Sequence, residues 1–251
     1  MDGHNGAETG TAEQRALRSR QLDLSLYRTD KISNNYLPVY DPILAPLVER
    51  DVKLLELGVF EGESLRLWRD YFPKGTIVGV DSRQISLSDS GTRIHVYQGE
   101  QQDRECLSRI ARERAPEGFD IIIDDASHIG DLTRASFWHL FENHLKPGGL
   151  YVIEDWGTGY WGDWPDGRTH RPPGKFLLGA MRVLRRLRLS QGVYFHNHNW
   201  GMVGFIKELI DEQGAHDLTR ASVDRKPKRW PKFKQVLVTP SIVFVTKAES
   251  G

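Results

Sequence analysis

The 251-residue chain has one cysteine, no excess of either charge and no long apolar run. Cys106 alone cannot close an intrachain disulfide, which fits a reducing compartment and predicts a cytoplasmic protein. Lys plus Arg and Asp plus Glu both number 34, so bulk charge gives no argument for nucleic acid or a membrane surface. No apolar stretch approaches the roughly 20 residues that a membrane span requires. The opening MDGHNGAETGTAEQRALRSRQ lacks the apolar centre of a signal peptide. It is polar and Gly-rich, which predicts a disordered tail over 1–18 and a single domain over 19–251.

What is there is an alternation of strand and helix patterns. Val52 to Leu57 is a short apolar run, followed by the glycines of 58–62. Ser64 to Phe72 then places Leu65, Trp68 and Phe72 at helical spacing. Thr76 to Val80 and Arg93 to Tyr97 read as strands, and Glu100 to Arg114 is helix-compatible. Phe119 to Ile123 is a strand that runs into two aspartates. Leu132 to Leu145 reads as a helix with Phe137, Leu140, Phe141 and Leu145 inward, ended by Lys146-Pro-Gly-Gly149. Leu150 to Ile153 is a strand running into Glu154-Asp155, and Met202 to Leu209 reads as a helix. Strands separated by helical segments predict a parallel sheet with right-handed crossovers. Ligands of such sheets bind beyond the carboxyl ends of the strands.

The residues at those ends carry chemistry. Glu56-Leu-Gly-Val-Phe-Glu-Gly62 joins the first strand to the first helix, and glycine there permits a tight turn and close approach to a ligand. Asp81 ends the second strand, where an acid can pair with ribose hydroxyls. The E-x-G-x-x-x-G pattern departs from G-x-G-x-x-G and resembles the first motif of class I S-adenosylmethionine-dependent methyltransferases, with Asp81 in the place of their ribose-binding acid. That resemblance implies an α/β Rossmann-like fold: a mostly parallel sheet, helices on both faces and a C-terminal antiparallel strand. It also implies adenine contacts after the third strand, at Gln98, Gln102 and Asp103.

Asp124-Asp125-Ala-Ser-His128 and Glu154-Asp155 follow neighbouring parallel strands, which brings their carboxylates close. Carboxylates so placed repel unless a hard divalent cation joins them, and Mg2+ (or Mn2+) prefers such oxygen ligands. The competing reading is helix capping and Asx turns. His128, beside the acids, is a candidate general base.

D-x-S-H followed by K-P-G-G-x-Y-x-I-E-D-W resembles the metal-dependent sugar O-methyltransferases of macrolide biosynthesis, of the mycinamicin type, and the cephalosporin hydroxylase/methyltransferase-like family. Thr29-Asp-Lys31 and Ser64-Leu-Arg-Leu-Trp-Arg-Asp-Tyr-Phe-Pro73 match the same group. The resemblance implies Asp125, Glu154 and Asp155 as metal ligands, with His128 and Asp125 as catalytic residues. Asp124 is a neighbour able to enter the ligand count. Cofactor contacts would come from Thr29, Lys31, Glu56, Gly58, Gly62, Ser64 and Asp81, with Asp124 beside them.

Trp156 to Pro165 follows the acidic pair, and Trp156, Tyr160 and Trp161 are candidate acceptor contacts within an insertion over 156–175. Phe195-His-Asn-His-Asn-Trp200 holds two histidines but no cysteine partners, a weak metal signal. Arg225 to Lys234 is basic with interleaved aromatics, in an insertion over 224–235. It reads as the loop of a hairpin between Ala221–Val223 and Val236–Val238, or as leading into Ser241 to Lys247, ahead of a nucleic-acid contact. The function expected is Mg2+-dependent methylation of a sugar hydroxyl on a glycosylated metabolite. The alternatives are a phenol or catechol O-methyltransferase, an RNA methyltransferase and a non-catalytic cofactor-binding module. Self-association as a homo-oligomer stays open.

Overall fold

The structure is a computed structural model that describes residues 17–87, 93–170, 198–220 and 222–249, with positions 179, 183, 186 and 187. The expected tail falls mostly on 1–16, outside the described residues. Arg18 already belongs to a 3-10 turn, and its guanidinium donates to the carbonyls of Asp70 (2.6 Å) and Tyr71 (3.1 Å).

Among the described residues the core is a seven-stranded sheet of order β3-β2-β1-β4-β5-β7-β6. The strands are β1 (Lys53–Leu57), β2 (Thr76–Asp81), β3 (Ile94–Gln98), β4 (Phe119–Asp124), β5 (Leu145–Glu154), β6 (Phe233–Val238) and β7 (Ile242–Lys247). β1 to β5 pair in parallel, and β7 inserts antiparallel between β5 and β6. The helices are α1 (Asp30–Ser33), α2 (Leu37–Leu44), α3 (Glu63–Tyr71), α4 (Arg104–Arg114), α5 (Gly130–Asn143), α6 (Pro165–Thr169), α7 (Gly201–Gln213) and α8 (Ala215–Leu218). No described helix is long and apolar enough to cross a membrane.

Both faces of the inner strands β1, β2, β4, β5 and β7 are largely buried, so these are near-continuous apolar runs, while the edge strands β3 and β6 are partly exposed. Leu55, Val78, Ile122 and Tyr151 face one core cluster, with α4, α5 and α7. Leu54, Ile77, Ile121 and Val152 face the other, with α2 and α3. The first cluster centres on Phe137, whose ring meets Phe141, Tyr151, Phe205 and Phe233 at 4.7–6.0 Å. Truncating such a buried ring costs about 3–5 kcal/mol.

Three expected boundaries are corrected. Lys146 to Gly149 does not cap a helix: α5 ends at Asn143, and Leu145 already pairs with Phe119. Gly148, at φ +71°, accommodates the irregularity before pairing resumes at Leu150 and Ile121. The helix expected from Glu100 starts at Arg104, because the Asp103 carboxylate accepts from the Glu105 and Cys106 N–H groups and fixes the N-terminus there. The hairpin is β6–β7 rather than one beginning at Ala221–Val223; position 221 lies outside the described residues, and Val223 is exposed in a turn.

Sheet order positions the site. The chain runs outward from β1 to β3 on one side and from β4 to β5 on the other. The switch point therefore lies between β1 and β4, where parallel α/β sheets bind ligands. There Gly58 N–H donates to Val80 O (2.8 Å) and Asp125 N–H to Leu57 O (2.9 Å), drawing three strand ends together.

Candidate active site

Three cavities open at these ends. One, of ≈ 420 Å³, is lined by Thr29, Gly58, Ser64, Asp81, Asp125 and His128, among others. A second, of ≈ 240 Å³, shares Gly58, Asp81, Arg83 and Ala126 with it and continues past Glu100, Gln101 and Ser127. The third, of ≈ 630 Å³, lies beyond β5 and is lined by Tyr36, Asp155, Trp156, Tyr160, Trp161 and Trp164, among others.

The glycine loop is built for close approach. Gly58 has φ +87°, and a Cβ there would lie 2.1 Å from Asp125 O. Gly62, at φ +83°, is the N-cap of α3. Asp81 Oδ2 accepts from the Val59 (2.9 Å) and Phe60 (3.0 Å) N–H groups, and Oδ1 from Arg83 N–H (2.9 Å) and Nε (3.2 Å). Burial alone would raise its pKa, but these donors outweigh burial and hold the carboxyl below its ordinary value.

Strand alternation sorts the acids. Asp124 continues the face of Ile122, is 2 % exposed, and accepts from Ser136 Oγ (2.8 Å) and Tyr151 OH (3.3 Å). Burial pushes its pKa up to about 6. It serves the core on the α5 side and lines none of the three cavities, so its expected place among cofactor contacts or ligands is not what the structure shows.

Asp125 turns to the opposite side, that of Glu56 and Glu154. Lys31, fully buried, reaches between them: its Nζ is 2.7 Å from Asp125 Oδ2, 3.1 Å from Glu154 Oε1 and 3.2 Å from Glu56 Oε1. Burial would lower the Lys31 pKa, but the three carboxylates reverse this and hold it well above its ordinary value. Burial pushes the Asp125 and Glu154 carboxyls up, and the ammonium opposes that rise. Glu56 also accepts from Ser64 Oγ (2.8 Å) and Trp68 Nε1 (3.3 Å), and the Tyr40 hydroxyl donates to Glu154. Lys31 and Glu56, expected as cofactor contacts, are thus interior residues beneath the loop.

Asp125, His128 and Asp155 each offer a ligand atom within 4.8 Å of the other two. His128 Nε2 is 3.8 Å from Asp125 Oδ1, and its ring packs edge-on to Trp164 at 5.2 Å. Asp155 Oδ1 accepts from the Tyr36 hydroxyl. Of the three expected metal ligands, Asp125 and Asp155 come together here, while Glu154 faces Lys31 and Tyr40. Asp155 lies beside this cluster of three acids around one ammonium. A pair of carboxylates around one point, with an imidazole beside them, fits a divalent cation.

The polar loops after β3 are placed differently from expectation. Gln98 donates to Ser82 O (3.1 Å), Asp103 caps α4, and Gln102 Oε1 is buried without a partner; none lines a cavity described above. Gln101 does, accepting from Ser127 N–H (3.0 Å) and facing Asp124. Trp156, Tyr160 and Trp161 line the third cavity, and Tyr160 and Trp161 are more than half exposed there. Trp156 is tied by its Nε1 to Thr239 O (2.9 Å). The loop returns through Asp166, whose Oδ2 accepts from Gly130 N–H (2.8 Å) and Met202 N–H (2.7 Å), so one carboxylate caps both α5 and α7. His196 lies outside the described residues. His198 is buried against His170 and Tyr160, apart from the acidic cluster.

Sequence reading missed Tyr36, Tyr40, Gln101 and Trp164. The two tyrosines bridge more than 110 residues to their acids, which no local pattern signals. Gln101 is adjacent to the glutamine chosen, and Trp164 lies inside the aromatic run already singled out.

No family model matches the chain. It is 44% identical over 156 residues to the mycinamicin VI 2''-O-methyltransferase of Micromonospora griseorubida, a match over 57% of this chain and 38% of that protein. It is 38% identical over 229 residues to the 8-demethyl-8-alpha-L-rhamnosyl tetracenomycin-C 2'-O-methyltransferase of Streptomyces olivaceus, over 87% of this chain and 52% of that one. The solved structure of the MycE methyltransferase of the mycinamycin pathway, in complex with Mg, SAH and mycinamycin VI, superposes with TM-score 0.66 at 32% identity, covering 94% of this chain and 56% of that one. The chain therefore spans about half the length, or less, of the relatives it matches. Strand order, cleft and similarity agree: the chain has the class I methyltransferase fold, and its relatives are sugar O-methyltransferases of macrolide and tetracenomycin biosynthesis.

Proposed function

We propose that the chain is an S-adenosylmethionine-dependent, Mg2+-assisted O-methyltransferase unit that acts on a sugar hydroxyl of a glycosylated natural product. The observation that carries this reading is placement: Asp125 and His128 line the glycine-loop cleft, Asp155 lines the aromatic cavity, and the three offer ligand atoms within 4.8 Å of one another. The solved relative binds Mg and SAH, which supports the same ligands here. S-adenosylmethionine supplies an already electrophilic methyl group. A bound Mg2+ supplies Lewis acidity that lowers the pKa of an acceptor hydroxyl.

The chain's own residues do the rest. The Gly58 loop would give the cofactor close backbone approach, and Asp81 would meet its ribose hydroxyls. Asp125 and Asp155 would hold the cation. Glu154 would join them only by giving up its bond to Lys31 or Tyr40. The Tyr160 and Trp161 faces offer apolar surface to a sugar ring. His128, edge-on to Trp164, would accept the hydroxyl proton as the methyl moves. The basic segment does not favour an RNA substrate: Arg229 is a fork on Glu212 (2.6 Å twice), and Lys232 pairs with Glu142 and lies over the Trp138 ring.

The test is methyl transfer from labelled S-adenosylmethionine to a panel of glycosides and catechols, with mass spectrometry of the products. Glycoside methylation abolished by EDTA and restored by Mg2+ or Mn2+ is expected. Turnover that survives exhaustive chelation, or methylation confined to catechols, overturns the reading.

A further inference from the structure

Lys31 places a cation inside the acidic cluster before any metal arrives. Its side chain has no exposure, and all three of its ion-pair partners lie within 3.2 Å. The short helix α1 delivers it: Thr29 Oγ1 accepts from Lys31 N–H at the N-cap, and Lys31 O accepts from Tyr36 N–H (2.9 Å). The same turn sends the Tyr36 hydroxyl to Asp155.

The ammonium and the proposed metal position share Asp125. Lys31 holds Oδ2 at 2.7 Å, whereas Oδ1 looks toward His128. It also takes Glu154, which is thereby withheld from the group formed by Asp125, His128 and Asp155. A monovalent cation on one oxygen of a carboxylate and a divalent cation on the other repel each other strongly in a site this buried.

We propose that Lys31 is a resident counter-cation that sets the metal affinity of this site. It keeps the acids compatible with burial when no metal is bound, competes with a divalent ion for Asp125 and Glu154, and holds its binding weak and exchangeable. This rests on reading Asp125 and Asp155 as cation ligands.

Mn2+ binding to the full chain, measured by calorimetry and by electron paramagnetic resonance of the free ion, tests it without turnover. Lys31→Met keeps the length of the buried side chain and removes its charge. Its Kd for Mn2+ should tighten by about tenfold or more. Should Lys31→Met not fold, the comparison moves to Glu56→Gln against Lys31→Met/Glu56→Gln, which carries one fewer uncompensated acid, and the double variant should again bind tighter. Wild-type binding with a folded variant that binds no tighter overturns the inference alone. Binding by the variant but not by wild type supports it. No binding by either overturns both the inference and the metal reading.

Discussion

Gly58 and Gly62 have nearly the same backbone, φ +87° and +83°, and different neighbours, which makes them a matched pair for testing the cleft. A Cβ at Gly58 would lie 2.1 Å from Asp125 O, 2.7 Å from Asp125 C and 2.8 Å from Ala126 Cα, all backbone atoms. A Cβ at Gly62 would meet Leu87 Cδ2 at 2.2 Å, the end of a side chain that can rotate away. Both Gly→Ala changes carry the left-handed cost, about 1–2 kcal/mol. Only Gly58→Ala must also push back the strand end that carries Asp125, straining the Asp125 N–H bond to Leu57 O. That adds about 1–3 kcal/mol, the range for a buried group losing its partner. Gly62→Ala should therefore lower Tm by roughly 2–8 °C and Gly58→Ala by roughly 4–20 °C, at about 2–4 °C per kcal/mol for a chain of this size. Scanning calorimetry reads the stability and Mn2+ titration reads the site. Gly58→Ala should lose metal affinity because Asp125 moves, while Gly62→Ala should keep it. Equal Tm losses together with unchanged Mn2+ affinity in Gly58→Ala would refute the close packing of the glycine loop on the acidic strand end.

Other outcomes follow from the same geometry. Asp81→Ala should weaken S-adenosylhomocysteine binding roughly 10- to 150-fold, the loss of about 1.5–3 kcal/mol of charge-assisted hydrogen bonding; unchanged affinity in a folded variant removes Asp81 from the ribose site. His128→Ala should lower kcat by roughly 10²–10⁴-fold while Mn2+ and cofactor affinities hold. Near-wild-type turnover would make this histidine structural, and a collapse of Mn2+ affinity would make it a ligand instead. At Glu212, burial alone would raise the carboxyl pKa, but the Arg229 fork and the Lys232 N–H outweigh it and hold it below its ordinary value. A depressed folded pKa stabilises the fold above the unfolded value near 4.5 and loses that contribution as pH falls. Glu212→Gln should thus cost about 1–2 kcal/mol at pH 7, with the gap to wild type narrowing as pH falls below the ordinary carboxyl value in urea melts; a gap independent of pH would sink the assignment.

Much of this was legible in the sequence because it is local. Strand identity, the glycine loop, Asp81 and the pairing of two acidic strand ends all follow from periodicity and order along the chain. Alternation carried more than was taken from it. Asp124 and Asp125 are consecutive, so they must face opposite sides, and Ile122 fixes which side is Asp124's. The same rule puts Glu154 with Val152 and Leu150 and turns Asp155 out at the strand end. What could not be read is contact across the chain. Lys31 meets Asp125 and Glu154 across separations of 94 and 123 residues, and nothing near Thr29-Asp-Lys31 signals a buried ion pair. Asp103 shows the converse, a residue whose local capping bond defines a helix start and needs no ligand to explain it.

The backbone itself marks the site where local preference is overruled. Among the described residues four that are not glycine have positive φ: Asn35, Phe60, His128 and Asp155. Phe60 and His128 line the cofactor-side cavity, Asp155 lines the aromatic one, and Asn35 precedes Tyr36, which donates to Asp155. Such conformations cost about 1–3 kcal/mol each and persist only where surrounding contacts dictate them. Here the contacts are identifiable. Asp81 holds the Phe60 N–H, Trp164 packs on the His128 ring, and Thr158 Oγ1 with its own N–H binds Asp155 O. Phe60, an exposed aromatic in the left-handed region, has no packing reason to be there, with Arg83 as the cation over its ring at 5.3 Å. Histidine and aspartate, which enter the left-handed region more readily than most side chains, stand at two of these four positions and bring an imidazole and a carboxylate within 4.8 Å of each other and of Asp125.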